Sequence, residues 1–188
     1  MRKKIGILLL AMFLLIGCTV REEKEHPDWD ASWFALGDLI AAETPEGFTL
    51  NESNDVLSIA GLYYATWTAG QGEPITNAQG KDAVLFDAQI YLLVKECESA
   101  EDAETDIADW MQRETGAYET VKSTVTAAGH SYTALELVRA KNENPYHHGA
   151  AAFGVIGTNA VSAELLCREG WDGDVITVLT EFLNGLHD

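Results

Sequence analysis

Residues 118–169, which read YETVKSTVTAAGHSYTALELVRAKNENPYHHGAAAFGVIGTNAVSAELLCRE, decide the fold class. Four runs rich in β-branched and apolar residues are separated by Gly129, by residues 142–148 and by residues 157–159. Connections this short join strands that lie antiparallel and adjacent in a sheet. The stretch therefore predicts a series of antiparallel hairpins.

A helix is predicted on each side of these strands. The hydroxyl of Ser99 is suited to cap the first helix, and Asp102 three residues later completes a capping-box-like pattern. The buried stripe of this helix should comprise apolar residues at three- and four-residue spacing, namely Ala103, Ile107, Trp110 and Met111. Capping and solvation account for four of its acidic residues, namely Glu101, Asp102, Asp106 and Asp109. Asp172 or Asp174 should cap the last helix, whose apolar face comprises Val175, Val178, Leu179, Phe182 and Leu186.

The chain before Ser99 predicts strands. Residues 39–43, 56–60 and 62–68 form short apolar runs, with a turn signal at Pro45-Glu46-Gly47 and a bulge or tight turn at Gly61. Residues 68–82 are polar and glycine-rich, which predicts a loop. Residues 83–97 then predict one long strand, with one face formed by Ala88, Ile90, Leu92 and Val94. Residues 29–36 fit a short helix or a strand equally well.

This order of strands, helix, four strands and helix predicts an α+β fold, with an antiparallel sheet covered by two main helices. The element order over about residues 38–187 resembles the PsbP-like family, as do the segments ETPEGFTL at residues 43–50 and AAGHSYTALEL at residues 127–137. The resemblance implies a sandwich fold used mostly for docking onto protein complexes and rarely for catalysis. It carries no functional residue over to this chain. A cystatin-like or nuclear-transport-factor-like α+β sheet remains the alternative.

The first residues, MRKKIGILLLAMFLLIGCTV, have the layout of an export signal. Three basic residues precede an apolar segment at residues 5–16, which is shorter than the ~20 residues that a membrane-spanning helix needs. The segment Leu15-Ile16-Gly17-Cys18 resembles the lipobox of bacterial lipoproteins. By that resemblance residues 1–17 are removed and Cys18 is the lipid anchor, on the extracytoplasmic face of the cell membrane. Residues 18–27 should then be an acidic tether, and residues 28–188 a single domain.

The charge of the chain limits its partners. The formal net charge is −18, from 12 basic and 30 acidic residues. Residues 1–17 hold three basic and no acidic residues, so the mature chain carries 9 − 30 = −21. A charge of this sign repels nucleic acid and anionic lipid headgroups. We therefore expect no nucleic-acid partner, and contact with the membrane only through the lipid.

Residues that could carry chemistry are few. No catalytic motif occurs, and the neighbours His130 and Ser131 do not make a triad, so we expect no enzymatic activity and no cofactor. His147 and His148 are adjacent, and successive side chains on a strand point to opposite faces, which predicts no native metal site. Cys97 and Cys167 end apolar runs and should be buried apolar fillers, with a disulfide between them left open. Four of the five tryptophans, Trp33, Trp67, Trp110 and Trp171, could line a ligand cleft but are more typical of a core.

Two classes of function remain. The first is a non-catalytic accessory or protein-binding domain for an unidentified envelope protein. The second is a small-ligand or metal-binding lipoprotein that serves an envelope system. A concave apolar pocket with a few polar groups would favour the second, whereas an acidic or aromatic surface would favour the first.

Overall fold

The computed structural model describes residues 33–36, 40–54, 61–76, 80 and 82–187. Its strands are β1 (Trp33–Leu36), β2 (Ile40–Glu43), β3 (Thr49–Asn54), β4 (Leu62–Ala69), β5 (Glu73–Thr76), β6 (Asp82–Leu85), β7 (Ala88–Glu96), β8 (Tyr118–Ala127), β9 (His130–Ala140), β10 (His148–Ile156), β11 (Asn159–Cys167) and β12 (Leu186–His187). Its helices are α1 (Ala100–Ala117) and α2 (Val175–Asn184).

A seven-stranded sheet in the order β3-β4-β7-β11-β10-β9-β8 forms the centre of the fold. Every neighbouring pair is antiparallel, as the short connections predict. The pairing of β10 with β11 is unbroken from His148 opposite Cys167 to Ile156 opposite Asn159. The hairpins predicted within residues 118–169 are therefore confirmed.

The two helices cover opposite faces of this sheet, and the alternation of side chains along β10 shows it. Ala150 and Ala152 belong to the buried cluster that contains Leu179 and Phe182 of α2. The intervening Ala151 and Phe153 belong to the cluster that contains Ala103 and Trp110 of α1. Because successive strand residues point to opposite faces, each helix has a face of its own. The predicted α+β class is confirmed.

Both helix starts follow from local side-chain chemistry. Ser99 Oγ accepts a hydrogen bond from Asp102 N at 3.2 Å and donates one to Asp102 Oδ2 at 2.7 Å. Asp174, and not Asp172, caps α2, where its Oδ1 accepts from Thr177 N at 2.9 Å. Leu186 is buried, but it lies in β12 beyond the end of α2 rather than on the helix.

Two predictions about residues 68–97 are wrong. Residues 73–76 and 82–85 form a separate antiparallel hairpin, β5 with β6, where the sequence predicted a loop. The long strand predicted over residues 83–97 is two strands, because the chain bends at Asp87, whose N donates to Ala69 O and whose O accepts from Arg168 N. Gly70 permits this bend, since a Cβ there would lie 2.0 Å from Asp87 Oδ2. Within β7 the predicted alternation is confirmed, because Ala88, Ile90, Leu92 and Val94 are all buried.

A second, smaller sheet in the order β1-β2-β12 brings the two ends of the described chain together. Residues 33–36 are thus a strand, which decides between the two alternatives for that part of residues 29–36. The signal segment, Cys18, the tether and the predicted strand at residues 56–60 lie outside the described residues. In the described part of the chain, neither helix has the length and apolar character needed to cross a bilayer.

Candidate functional site

A cleft of about 430 Å³ opens between residues 43–48 and helix α2. One wall is the chain from Glu43 to Phe48, which connects the small sheet to the large one. The other wall is formed by Trp171 and by the face of α2 that includes Val178, Glu181 and Phe182. The cleft is half-open to solvent.

The first wall is held in place by backbone hydrogen bonds. Phe48 N donates to Pro45 O at 3.1 Å and closes the predicted Pro45-Glu46-Gly47 turn, in which Gly47 has a φ of 79°. A φ in this range suits glycine, which has no Cβ to clash with the backbone. Glu43 N donates to Gly185 O at 3.3 Å and so fastens the start of this wall to the end of α2.

Aromatic rings form the inner surface of the cleft. The rings of Phe48 and Trp171 lie with centroids 6.2 Å apart and planes tilted by 56°. Phe182 packs edge-on against the buried Trp67, with centroids 4.9 Å apart. Trp67 Nε1 also donates to Thr44 Oγ1 at 3.4 Å, which links the core directly to the wall. The inner surface of the cleft is therefore an extension of the hydrophobic core.

Carboxylates stand on both walls. Glu43 and Glu46 lie on one side and Glu181 on the other, and all three side chains are exposed. Among the residues that the structure describes, no lysine, arginine or histidine lines the cleft. Among the described residues, the ion pairs of Lys95 and Arg168 involve other carboxylates. The cleft thus combines an aromatic interior with an uncompensated negative rim.

Trp171 adds an unsatisfied donor to this site. Its Nε1 is buried and has no hydrogen-bond partner among the described residues. An unpaired buried donor costs about 1–3 kcal/mol, so such a group is an exception in folded proteins. Space beside the nitrogen depends on Gly173, where a Cβ would lie only 2.8 Å from Nε1.

A second cluster joins β7 to α1. Lys95 Nζ lies 2.7 and 2.6 Å from the two carboxylate oxygens of Asp106, and the Cys97 thiol donates to Asp106 Oδ2 at 3.4 Å. The Lys95 ammonium group lowers the pKa of Asp106 by hydrogen bonding. Burial, followed by the hydrogen bond to Asp106, raises the pKa of the Cys97 thiol. This cluster holds the thiol in its protonated form, which is the opposite of nucleophile activation.

This geometry corrects two sequence predictions. Asp106 is an ion-pair partner that fastens α1 to the sheet, not simply a solvated residue of an acidic face. Cys97 is a half-buried hydrogen-bond donor, whereas Cys167 is the buried apolar filler that was predicted. Both cysteines are free thiols, so no bridge joins them.

A buried carboxyl group lies beneath α1. Glu164 is on the face of β11 that α1 covers, where Ser162 Oγ donates to its Oε1 at 3.3 Å. Burial, and then the charge of Glu114 on α1, raise the pKa of Glu164 to about 7. Burial also raises the pKa of Glu114, and Arg113 opposes that shift. Two carboxyl groups thus share a region in which charge is poorly solvated.

The histidines are not brought into one site. His147 N donates to Cys167 O at 2.8 Å and His147 O accepts from Ala140 N at 2.9 Å, so the ladder continues through it to His148. The two side chains therefore point to opposite sides, and the shallow cleft at this loop is lined by His147 without His148. His130 and Ser131 are likewise consecutive residues of β9. Across the described residues, no three His, Cys, Asp or Glu side chains are grouped so that they could hold a metal.

The tryptophans divide between core and cleft. Trp67 and Trp110 are buried, as expected of core residues, and the side chain of Trp33 lies outside the described part. Trp171 lines the cleft instead. Sequence reasoning missed the cleft because its walls lie more than 120 residues apart in the chain. The one available signal was Trp171 itself, flanked by Gly170 and by Asp172-Gly173 and hence in a loop.

Comparison with solved structures supports the fold. A crystal structure from Bacteroides thetaiotaomicron matches with a TM-score of 0.50 and 11% identity, over 83% of this chain and 47% of the other. The chain thus spans about half the length of that protein. The solution structure of cyanobacterial PsbP (CyanoP) from Synechocystis matches with a TM-score of 0.37 and 13% identity, over 75% of this chain and 92% of the other. The PsbP likeness is too low to carry an argument of its own, and no family model or curated protein matches the chain.

Proposed function

We propose that the chain is a lipoprotein whose domain binds an envelope protein through the cleft between residues 43–48 and α2. In this proposal Cys18 carries the lipid and holds the domain at the extracytoplasmic face of the cell membrane. The domain acts as a non-catalytic accessory unit. The observation that carries the binding role is the cleft itself, which is lined by three aromatic rings and three carboxylates.

The shape of the cleft favours a protein partner over a free small ligand. Small-molecule sites typically enclose 70–90% of the ligand surface. This cleft opens to solvent, since its lining residues Glu46 and Glu181 are exposed, and these polar residues accompany an aromatic interior, as in the core-and-rim organisation of protein interfaces. A side chain that projects from a partner could enter the cleft while the rest of the partner rests on the rim.

Site-specific photocrosslinking in the organism of origin tests this proposal. A benzophenone amino acid would replace Glu46 on the cleft wall, and in a matched control it would replace Glu104, an exposed glutamate on α1 at the opposite face of the sheet. We expect a defined protein adduct from position 46 that is lost when Glu181→Lys is introduced on the facing wall. The proposal would be overturned if both positions gave identical adducts, or if the adduct from position 46 still formed in the Glu181→Lys variant.

A further inference from the structure

We infer that the cleft accepts an arginine side chain from a basic segment of its protein partner. The inference rests on the proposed function, because it specifies the chemistry of the group that enters the same cleft. Its first support is charge: Glu43, Glu46 and Glu181 line the cleft, and none of the described lining residues is a cation. A cationic group entering between the walls would be attracted from both sides, and the net charge of −18 would assist its approach.

The aromatic interior selects the kind of cation. A cation within about 6 Å of a ring centroid is attracted by the negative face of the ring. Phe48 and Trp171 present two such rings inside the cleft, with centroids 6.2 Å apart. An ion that requires a full set of oxygen ligands gains nothing from these rings, and no three metal-ligating side chains of the described residues are grouped for one. The surroundings therefore suit an organic cation.

Arginine satisfies this combination better than lysine does. The guanidinium group is planar and weakly hydrated, so it can stack on an aromatic ring and still bind a carboxylate through two parallel hydrogen bonds. The ammonium group of lysine is strongly hydrated and acts as a point charge, so it loses more solvation among the rings. Glu46 and Glu181 line the same cleft, so both offer a carboxylate to a guanidinium that stacks on an exposed side of Phe48 or Trp171.

The unsatisfied indole nitrogen makes Trp171 a reporter of the cleft. Trp171 Nε1 is buried without an acceptor among the described residues, and Gly173 packs so closely that a Cβ there would lie 2.8 Å from the nitrogen. Because the nitrogen is closed to solvent, a ligand in the cleft contacts the ring and not the N–H. A change in the N–H signal therefore reports a shift of the Trp171 ring.

Titration of the full chain in detergent micelles with short peptides tests the inference. The probes are acetyl-Gly-Ser-Arg-Ser-Gly-amide and its twins with lysine or citrulline at the centre; citrulline keeps the shape of arginine and removes its charge. The readout is the NMR signal of the Trp171 indole N–H, assigned by its loss in Trp171→Phe. We expect saturable shifts with the arginine peptide, and binding weaker by about tenfold or more with citrulline.

Variants of the protein provide the matched comparison. Glu181→Gln removes one of the charges that line the cleft. It should lower the affinity for the arginine peptide by about two- to fivefold, which is the range expected of an exposed ion pair. Glu104→Gln removes an exposed charge from the other face of the sheet and should leave the affinity unchanged. Equal binding of the arginine and citrulline peptides, equal binding of arginine and lysine, or no shift up to the solubility limit would overturn the inference. If a protein is crosslinked specifically at the cleft and any of these results is also obtained, the proposed function is retained. Only the inference that the cleft accepts an arginine side chain is then rejected.

Discussion

Replacing Glu164 with glutamine should abolish most of the pH dependence of stability between about pH 4.5 and pH 7. Burial, and then Glu114, raise the pKa of Glu164 from 4.5 to about 7 in the folded protein. In that window the folded state binds more protons than the unfolded state does. The free energy of unfolding therefore falls as pH rises, because stability decreases with pH wherever the native state is the more protonated one.

The size of this effect follows from the shift. A difference of about 2.5 pH units at about 1.4 kcal/mol per unit corresponds to about 3–4 kcal/mol lost above pH 7 and restored below pH 4.5. This is an upper value, because part of the side chain reaches solvent. The groups that face Glu164 are Glu114 and Arg113 from α1, Ser162 from its own strand, and Tyr118. Burial, and then the charges of Glu114 and Glu164, raise the pKa of Tyr118 to about 12. Glu114 should leave a smaller slope of the same sign in the variant.

Urea unfolding of a soluble chain that begins at residue 28, followed by tryptophan fluorescence from pH 4.5 to pH 8, measures the effect. Glu164→Gln should match the parent protein at pH 4.5 and exceed its free energy of unfolding by at most about 3–4 kcal/mol at pH 8. Glu104→Gln, an exposed substitution on α1, serves as the control and should follow the parent at every pH. Parallel pH profiles for Glu164→Gln and the parent would refute the raised pKa of Glu164.

Three further predictions concern single residues. Iodoacetamide should label Cys97 slowly and leave Cys167 unlabelled until urea is added. The reason is that burial raises the pKa of both thiols and that Cys167 is fully buried. Peptide mass spectrometry measures the labelling, and a faster reaction at Cys167 than at Cys97 would contradict the prediction. Cys18→Ala should release the protein from the membrane fraction, and unchanged retention on immunoblots of fractionated cells would exclude the lipid anchor. Trp67→Ala should lower the free energy of unfolding by about 3–5 kcal/mol, since the ring is fully buried against Phe182; a loss under 1 kcal/mol in the same urea assay would contradict that packing.

Local patterns predicted the elements whose signal lies within one segment. The alternation at residues 88–94 identified the buried face of β7, and Ser99 with Asp102 identified the start of α1. The sequence does not predict the β5–β6 hairpin because the polar, glycine-rich composition of residues 68–82 outweighs Ile75, and the register that pairs Glu73 with Leu85 is a tertiary property. The role of Cys97 was missed for a similar reason, since the thiol meets Asp106 only after α1 folds back over the sheet. Contacts of this kind depend on topology, which periodicity does not encode.

The hydrophobic core connects the two walls of the cleft, although the sequence alone does not predict the cleft. Its inner ring, Phe182, packs on Trp67 at the centre of the core, and Trp67 in turn donates to Thr44 on the opposite wall. The two walls are therefore coupled through a fully buried side chain, and Glu43 is fastened to Gly185 by the backbone as well. A partner that enters such a cleft need not order it first, and less of the binding free energy is lost to conformational entropy. Trp67→Phe keeps an aromatic ring but removes the donor to Thr44. We therefore expect this substitution to reduce the free energy of binding at the cleft by more than it reduces the free energy of unfolding.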